Sequence, residues 1–197
     1  TRRRVHTRLV REVVEDVAVE RARVCAARRS GSAIPQRALG RVRKIICSFP
    51  RSAGSVVFEE LYRQGKIELE IVPQGTMAER MRAAGAGVPA FFTATSVGTI
   101  LANGKEQREF NGRTYVMEHA LKADVALVEA WEGDRWGNLT YRSSGRNFNP
   151  VMAMAADMTI AQVSHIRALG EIVPENVHTP GIFVKRVLHI DRGPEWA

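Results

Sequence analysis

The sequence predicts an α/β fold, an open, mostly parallel or mixed sheet covered by helices. Three observations predict it. Strand-like and helix-like runs alternate from Val42 onward. ADVALVEAW, residues 123–131, has an unbroken apolar centre from Val125 to Val128, as a strand covered on both faces requires. REFNGRTYVME, residues 108–118, sets Asn-Gly between two extended runs, the signature of a hairpin, and a hairpin makes the sheet mixed.

Taken in order, VRKIICSF (42–49) is a short apolar run suited to a buried strand. VVFEELYRQG (56–65) sets Val57, Leu61 and Phe58 on one helical face ahead of Gly65. IELEIV (67–72) alternates Ile67, Leu69 and Ile71 against Glu68 and Glu70, a strand with one buried face, and Pro73 ends it. Thr76 and Glu79 have the spacing of a capping box, which predicts a helix from about Met77. Met77, Met81 and Ala84 share its apolar face, and Gly85 takes the left-handed place just past its end. GDRWGNLTY (133–141) reads as a turn into an extended segment, with core packing the expected place for Trp131 and Trp136. In NFNPVMAMAADM (147–158), Asn149 is the expected N-cap and Pro150 the first helical residue of a buried helix. TIAQVSHI (159–166) and GIFVKRVLHI (181–190) are the last expected strands.

Charge divides the chain. Residues 1–44 hold 13 Arg or Lys against 4 acids, a net of +9, and the remainder is close to neutral at −1. All 13 aromatic residues lie from Phe49 onward. A basic arm, residues 1–40, is thus set against a core, residues 41–197. The arm allows a rival reading, a nucleic-acid-binding protein whose arginines neutralise phosphates, but no aromatic residues interleave with the basic ones to stack bases. Cys25 and Cys47 form no CxxC and no disulfide framework, which fits a reducing compartment. No apolar run approaches the 18 residues of a membrane span, so the expectation is a cytoplasmic protein without a membrane partner. The histidines have no metal-ligand spacing, and Ser164 beside His165 makes no triad, since strand alternation sends the two to opposite faces. GAGVPA (85–90) mimics a dinucleotide fingerprint but follows a helix and contains Pro89, so it is rejected as one.

Five stretches carry a resemblance: PQGTMAERMRAAGAGVPAFFT, GTILANGKE, YVMEHALKADVALVEAW, GDRWGNLTYRSSGRNFNPVMAMAA and HTPGIFVKRV. Together they resemble the A-type subunits of the family I CoA-transferases, the 3-oxoacid CoA-transferases. GRVRKIICSFPRS and GDRWGNL look most like the 3-oxoadipate branch. The resemblance implies transfer of CoA from an acyl-CoA such as succinyl-CoA to a 3-oxoacid, with 3-oxoadipate favoured and acetoacetate next. It implies a glutamyl-CoA intermediate on a separate partner, the B-type CoA-transferase subunit, whose catalytic glutamate lies in a Ser-Glu-Asn-Gly motif. The Glu175–Asn176 pair of this chain lies between Pro174 and Val177 and does not match that motif. The chain is therefore expected to be the half of the enzyme without the catalytic glutamate. No metal or prosthetic group is implied, and coenzyme A enters as substrate.

The resemblance also implies a glycine loop, Gly-Gly-Phe, near the start of the chain. Residues 1–40 contain only Gly31 and Gly40, so the core is expected to be N-terminally incomplete, through a misassigned or out-of-frame start or through a genuine arm.

Candidate substrate- and CoA-binding residues are Gly75 and Thr76, at the predicted start of a helix whose free N–H groups favour an anion, and Gly85 and Gly87, where a backbone without β-carbons can approach a thioester. A plain structural reading competes, in which Gly85 caps the helix and Gly87 turns the chain. Arg146 and Asn147 of SSGRNFN (143–149) complete the set: the first to face a carboxylate substrate or the CoA phosphates, the second to orient a bound group.

Overall fold

The computed structural model describes residues 24–26, 42–50 and 56–190. The rest of the arginine-rich stretch, and residues 191–197, lie outside the described residues, as do the side chains of residues 24–26, 56 and 57. In chain order the elements are β1 (Val24–Ala26), β2 (Lys44–Cys47), α1 (Val56–Arg63), β3 (Glu68–Ile71), α2 (Gln74–Gly85), β4 (Ala90–Thr93), β5 (Gln107–Phe110), β6 (Arg113–His119), β7 (Ala123–Asp134), β8 (Leu139–Thr140), α3 (Asn149–Met154), β9 (Ala156–Arg167) and β10 (Arg186–His189). Short 3₁₀ turns occupy Ile100–Ala102, Ser143–Arg146, Pro174–Asn176 and Gly181–Phe183. The chain divides into two compact units.

The first unit, among the described residues, runs up to Met77 and again over Phe92–Met117. Strands β2 and β3 pair in parallel, with Ile45 opposite Leu69 and Cys47 opposite Ile71. A parallel pair needs a crossover, and α1 supplies it. Its Phe58 and Leu61 pack with Ile45, Ile67 and Leu69, the apolar face expected from their spacing. Lys44 pairs with Glu70 across the strands at 2.7 Å. The Asn-Gly hairpin forms as predicted. Asn111 (φ 51°) and Gly112 (φ 75°) both adopt positive φ, which turns β5 back as β6 with the twist the strands require. Strand β4 adds to β6, giving the order β4-β6-β5.

The second unit holds residues 24–26, Ala78–Phe91 and the chain from Glu118 onward. Its sheet has the order β1-β7-β9-β10, parallel throughout, and β8 returns antiparallel to β7. Val125, Ala126, Val128 and Ala130 of β7 are buried, as are Ile160, Ala161 and Val163 of β9, so the expectation of a doubly covered strand holds. Thr159 is buried without penalty because its hydroxyl donates to the Ala153 carbonyl at 2.9 Å, joining β9 to the end of α3. Of the strand expected over residues 181–190, only Arg186–His189 pairs. The first part is drawn into a 3₁₀ turn by the close approach of Gly181 to the chain at Trp136.

Candidate functional site

The helix expected from Met77 starts three residues earlier. The Met77 N–H bonds the Pro73 carbonyl at 2.9 Å, so Gly75 and Thr76 lie inside the first turn of α2. The capping box does not form. Thr76 is 4% exposed and its hydroxyl has no hydrogen-bond partner. Glu79 instead accepts from the Arg82 guanidinium one turn on, at 2.9 and 3.0 Å from Nε, and this bond holds its carboxyl below the usual range. A charged donor outcompetes a backbone amide for the same carboxylate. The position of a β-carbon on Gly75 faces open space.

At the other end of α2 the left-handed stop expected at Gly85 falls two residues later, on Gly87. Val88 N–H reaches the Ala83 carbonyl at 2.9 Å and Gly87 N–H the Ala84 carbonyl at 3.2 Å, the paired bonds of a Schellman stop. Gly87, with φ 74°, is therefore the left-handed residue, and Gly85 is helical. Gly85 lacks a side chain for a different reason, since a β-carbon there would fall 2.6 Å from Met154 Cβ at the end of α3.

Strand β9 runs along one edge of β7 from Ala123 to Asp134, so β1, beside Val125–Leu127, and β8, beside Glu132 and Gly133, share the other edge. Glu129 lies between those two stretches, and its N–H is taken by Asn149 Oδ1 at 3.2 Å. The same side chain donates through Nδ2 to the Gly145 carbonyl at 2.7 Å. Asn149 is thus not the N-cap of α3. Phe148 holds that position, and Asn149 fastens the loop Ser143–Asn147 to the central strand.

Two of the family-like stretches prove to be structural partners. Asp134 is 3% exposed, and its Oδ1 accepts the N–H groups of Trp136 (2.9 Å) and Asn138 (3.0 Å). Asn138 donates to Asp134 Oδ2 and accepts the Gly181 N–H at 3.0 Å. Gly181 must be glycine, because a β-carbon would overlap the Trp136 carbonyl oxygen at 2.1 Å. This approach holds Gly181–Phe183 out of the strand. Trp136 is not in the core as expected. The turn carries it outward, 66% exposed.

Beside this junction a polar platform forms. His178 and Thr179 lie along Leu139, with Leu139 N–H on the Thr179 carbonyl and His178 N–H on the Leu139 carbonyl, each at 2.9 Å. The Tyr141 N–H donates to His178 Nδ1 at 3.0 Å, and the two rings stack within 15° of parallel. The Tyr141 hydroxyl bonds Thr179 Oγ1 at 2.8 Å, and burial pushes the phenol up to about 12. Burial, and then the charge of Arg146, lower the His178 pKa. One residue on from Tyr141, Arg142 lies over the Trp131 ring at 4.8 Å, and His165 meets the edge of that ring.

Of the six candidates, Arg146 and Asn147 share this platform's loop, while Gly75 and Thr76 start α2 and Gly85 and Gly87 end it. Sequence reasoning missed Tyr141 and His178, whose partnership spans 37 residues. The one signal for them was that both fall inside the family-like stretches. Among the described residues no three His, Cys, Asp or Glu side chains gather as a metal site, and no helix is long and apolar enough to cross a membrane.

The sequence profile of the coenzyme A transferase family matches residues 9–189. The chain is 62% identical over 151 residues to the A subunit of 3-oxoadipate CoA-transferase of Pseudomonas putida, covering 77% of this chain and 65% of that protein. It is 50% identical over 147 residues to the A subunit of a probable succinyl-CoA:3-ketoacid coenzyme A transferase of Bacillus subtilis, covering 75% and 61%. The chain thus spans less than two thirds of the length of these two relatives. The fold is similar to that of an acyl-CoA transferase of Escherichia coli O157:H7 solved as a thioester complex with CoA, with a TM-score of 0.71 at 20% identity over 91% of this chain and 46% of that one. By family profile and sequence identity, this chain belongs to the coenzyme A transferase family.

Proposed function

We propose that this chain is the A-type half of a CoA-transferase that moves coenzyme A from an acyl-CoA such as succinyl-CoA to a 3-oxoacid, with 3-oxoadipate the favoured acceptor and acetoacetate the next. The observation that carries the reading is the 62% identity to a protein named for that reaction and that half of the enzyme. The nucleic-acid reading rests on the arginine-rich stretch alone, which lies mostly outside the described residues. A cytoplasmic setting, with Cys47 a free thiol, accords with the transferase reading.

In the proposed reaction a glutamate of the partner chain attacks the thioester carbonyl and expels CoA thiolate, leaving a mixed anhydride. The thiolate then attacks the enzyme's side of the anhydride, releasing the donor carboxylate and forming a glutamyl thioester. The acceptor carboxylate repeats the two steps in reverse and departs as the new acyl-CoA. This chain binds and orients. Its Glu175, exposed in the turn Pro174–Asn176, is given no part. The first turn of α2 offers unpaired backbone N–H groups to an anion, with open space at Gly75 and the orphaned Thr76 hydroxyl beside them. Gly87 exposes backbone that no β-carbon shields, Gly85 sets α2 against α3, and Arg146 and Asn147 face the acyl portion.

The test is to supply the purified chain with succinyl-CoA and 3-oxoadipate, with and without a partner chain carrying the Ser-Glu-Asn-Gly motif. Transfer only in the mixture is expected. Turnover by this chain alone contradicts the assignment, and so does a stable assembly of the two chains that transfers nothing.

A further inference from the structure

We propose that Asn103 and Gly104 form a site of self-modification, where Asn103 converts to aspartate and isoaspartate, while the same dipeptide at Asn111–Gly112 is protected by its hairpin. The other asparagines are poor candidates. Asn149 precedes Pro150, which has no N–H, and Asn147 and Asn176 precede Phe148 and Val177, whose side chains crowd the reacting bond. Asn138 precedes Leu139 and is held by Asp134 and Gly181. Asn103 and Asn111 precede glycine, and both dipeptides are exposed. Among the described residues no hydrogen bond holds either side-chain amide, or the N–H of Gly104 or Gly112.

The reaction needs only solvent. Hydroxide removes the proton of the Gly104 N–H, and that nitrogen attacks Asn103 Cγ. The new N–Cγ bond closes a succinimide ring, the Cγ–Nδ2 bond breaks, and the side-chain nitrogen leaves as ammonia. Water then opens the ring at either carbonyl, giving aspartate or, with the main chain rerouted through the side chain, isoaspartate. One amide and one water become one carboxylic acid and one ammonia, with no change of oxidation state. Glycine in second place leaves the attacking nitrogen unshielded, since it carries no β-carbon.

Conformation separates the two sites. The ring closes when the following nitrogen eclipses Cβ about the Cα–C bond, which for an L-residue requires ψ near about −120°. Asn103 has φ −61° and ψ 131°, and Gly104 has φ 74°, the central pair of a type II turn closed by the Lys105 N–H on the Ala102 carbonyl at 3.1 Å. Its φ is already an ordinary one. A rotation of roughly 110° about ψ, on the way from a type II to a type I turn, brings the Gly104 nitrogen to Cγ. Both turn types keep the closing hydrogen bond, and the space beside Gly104 is open. Asn111, at φ 51° in a turn of type I′ form whose ideal ψ is about 30°, needs roughly 150° of rotation. The rotated turn is of type II′, which takes glycine rather than asparagine at its first position. Its hairpin is also pinned, since Phe110 pairs with Arg113 across the turn and meets the rings of Phe92 and Tyr115 at 5.4 and 5.6 Å.

The purified chain is incubated in mildly alkaline buffer, folded and in urea, and digested with trypsin. Cleavage at Lys105, Arg108 and Arg113 puts the two asparagines in different peptides. Mass spectrometry follows the exchange of amide for acid in each, and labelling by an isoaspartyl methyltransferase reports the isoaspartate. In the folded protein Asn103 is expected to convert at least about tenfold faster than Asn111, the factor for roughly 1.4 kcal/mol of backbone strain and hairpin opening. In urea, where both are plain Asn-Gly, the two rates should converge. Equal rates in the folded protein, faster conversion of Asn111, or no conversion at Asn103 overturns the inference. So does an equal gap that persists in urea, which would trace the difference to neighbouring residues rather than to conformation.

Discussion

Gly85 and Met154 lie so close that no side chain fits between them: a β-carbon on Gly85 would lie 2.6 Å from Met154 Cβ and 3.0 Å from its carbonyl oxygen. The clash involves backbone, so it cannot be relieved by moving the tip of a side chain. Gly85→Ala is expected to destabilise the protein by about 1–3 kcal/mol, the range for overpacking. Gly87→Ala is expected to cost about 1–2 kcal/mol through positive φ alone, since the added methyl group would meet open space. Urea unfolding of both variants checks this. A Gly85→Ala protein as stable as the wild type contradicts the packing role.

Gly75 offers the opposite case. It sits in the first turn of α2 with open space around its missing β-carbon, so Gly75→Ala should leave stability unchanged or raise it by up to about 1 kcal/mol. If backbone at this helix start meets the acyl-CoA, the same variant loses kcat/KM for the thioester while its unfolding midpoint holds. Kinetics that match the wild type would make Gly75 an ordinary helical residue.

Much of the fold is legible in the sequence wherever local chemistry decides the outcome. Asn111 and Gly112 adopt the positive φ that their turn demands, and the apolar run Val125–Val128 forms the covered strand. The misreadings all involve a partner far along the chain or an unforeseen competitor. Thr76 and Glu79 have the spacing of a capping box, but Pro73 takes the helix start and Arg82 takes the glutamate. Asn149 has the composition of a cap, yet it serves Glu129 and Gly145, a choice made by tertiary structure. Gly85 is the stop its spacing suggests, but the paired bonds of Gly87 and Val88 put the stop at Gly87, and Gly85 is glycine because of Met154, a partner far along the chain. In the candidate site, Arg146 and Asn147 stand out from their clustered loop. Tyr141 and His178 do not, because nothing local marks a backbone N–H that will meet an imidazole 37 residues away.

Ser96 carries two costs in one residue. Its φ is 76°, and its hydroxyl is buried with no partner, while its carbonyl is held by the Thr99 N–H at 3.1 Å and hydroxyl at 2.8 Å. Ser96→Gly removes both costs and keeps the bonds to the carbonyl. A gain of about 1 kcal/mol is expected, the strain relieved being partly offset by the greater freedom of glycine in the unfolded chain. Differential scanning calorimetry measures it, and a lower unfolding temperature in the variant refutes the strain.

The central claim, that this chain orients acyl-CoA while its partner supplies the nucleophile, is tested most directly by intact-mass spectrometry. The assembled enzyme is incubated with succinyl-CoA in the absence of an acceptor, quenched in acid, and each chain is weighed. The account predicts a CoA adduct on the partner chain, removed by adding 3-oxoadipate, with this chain unmodified. A CoA adduct on this chain, at Glu175 or any other carboxylate, would contradict it.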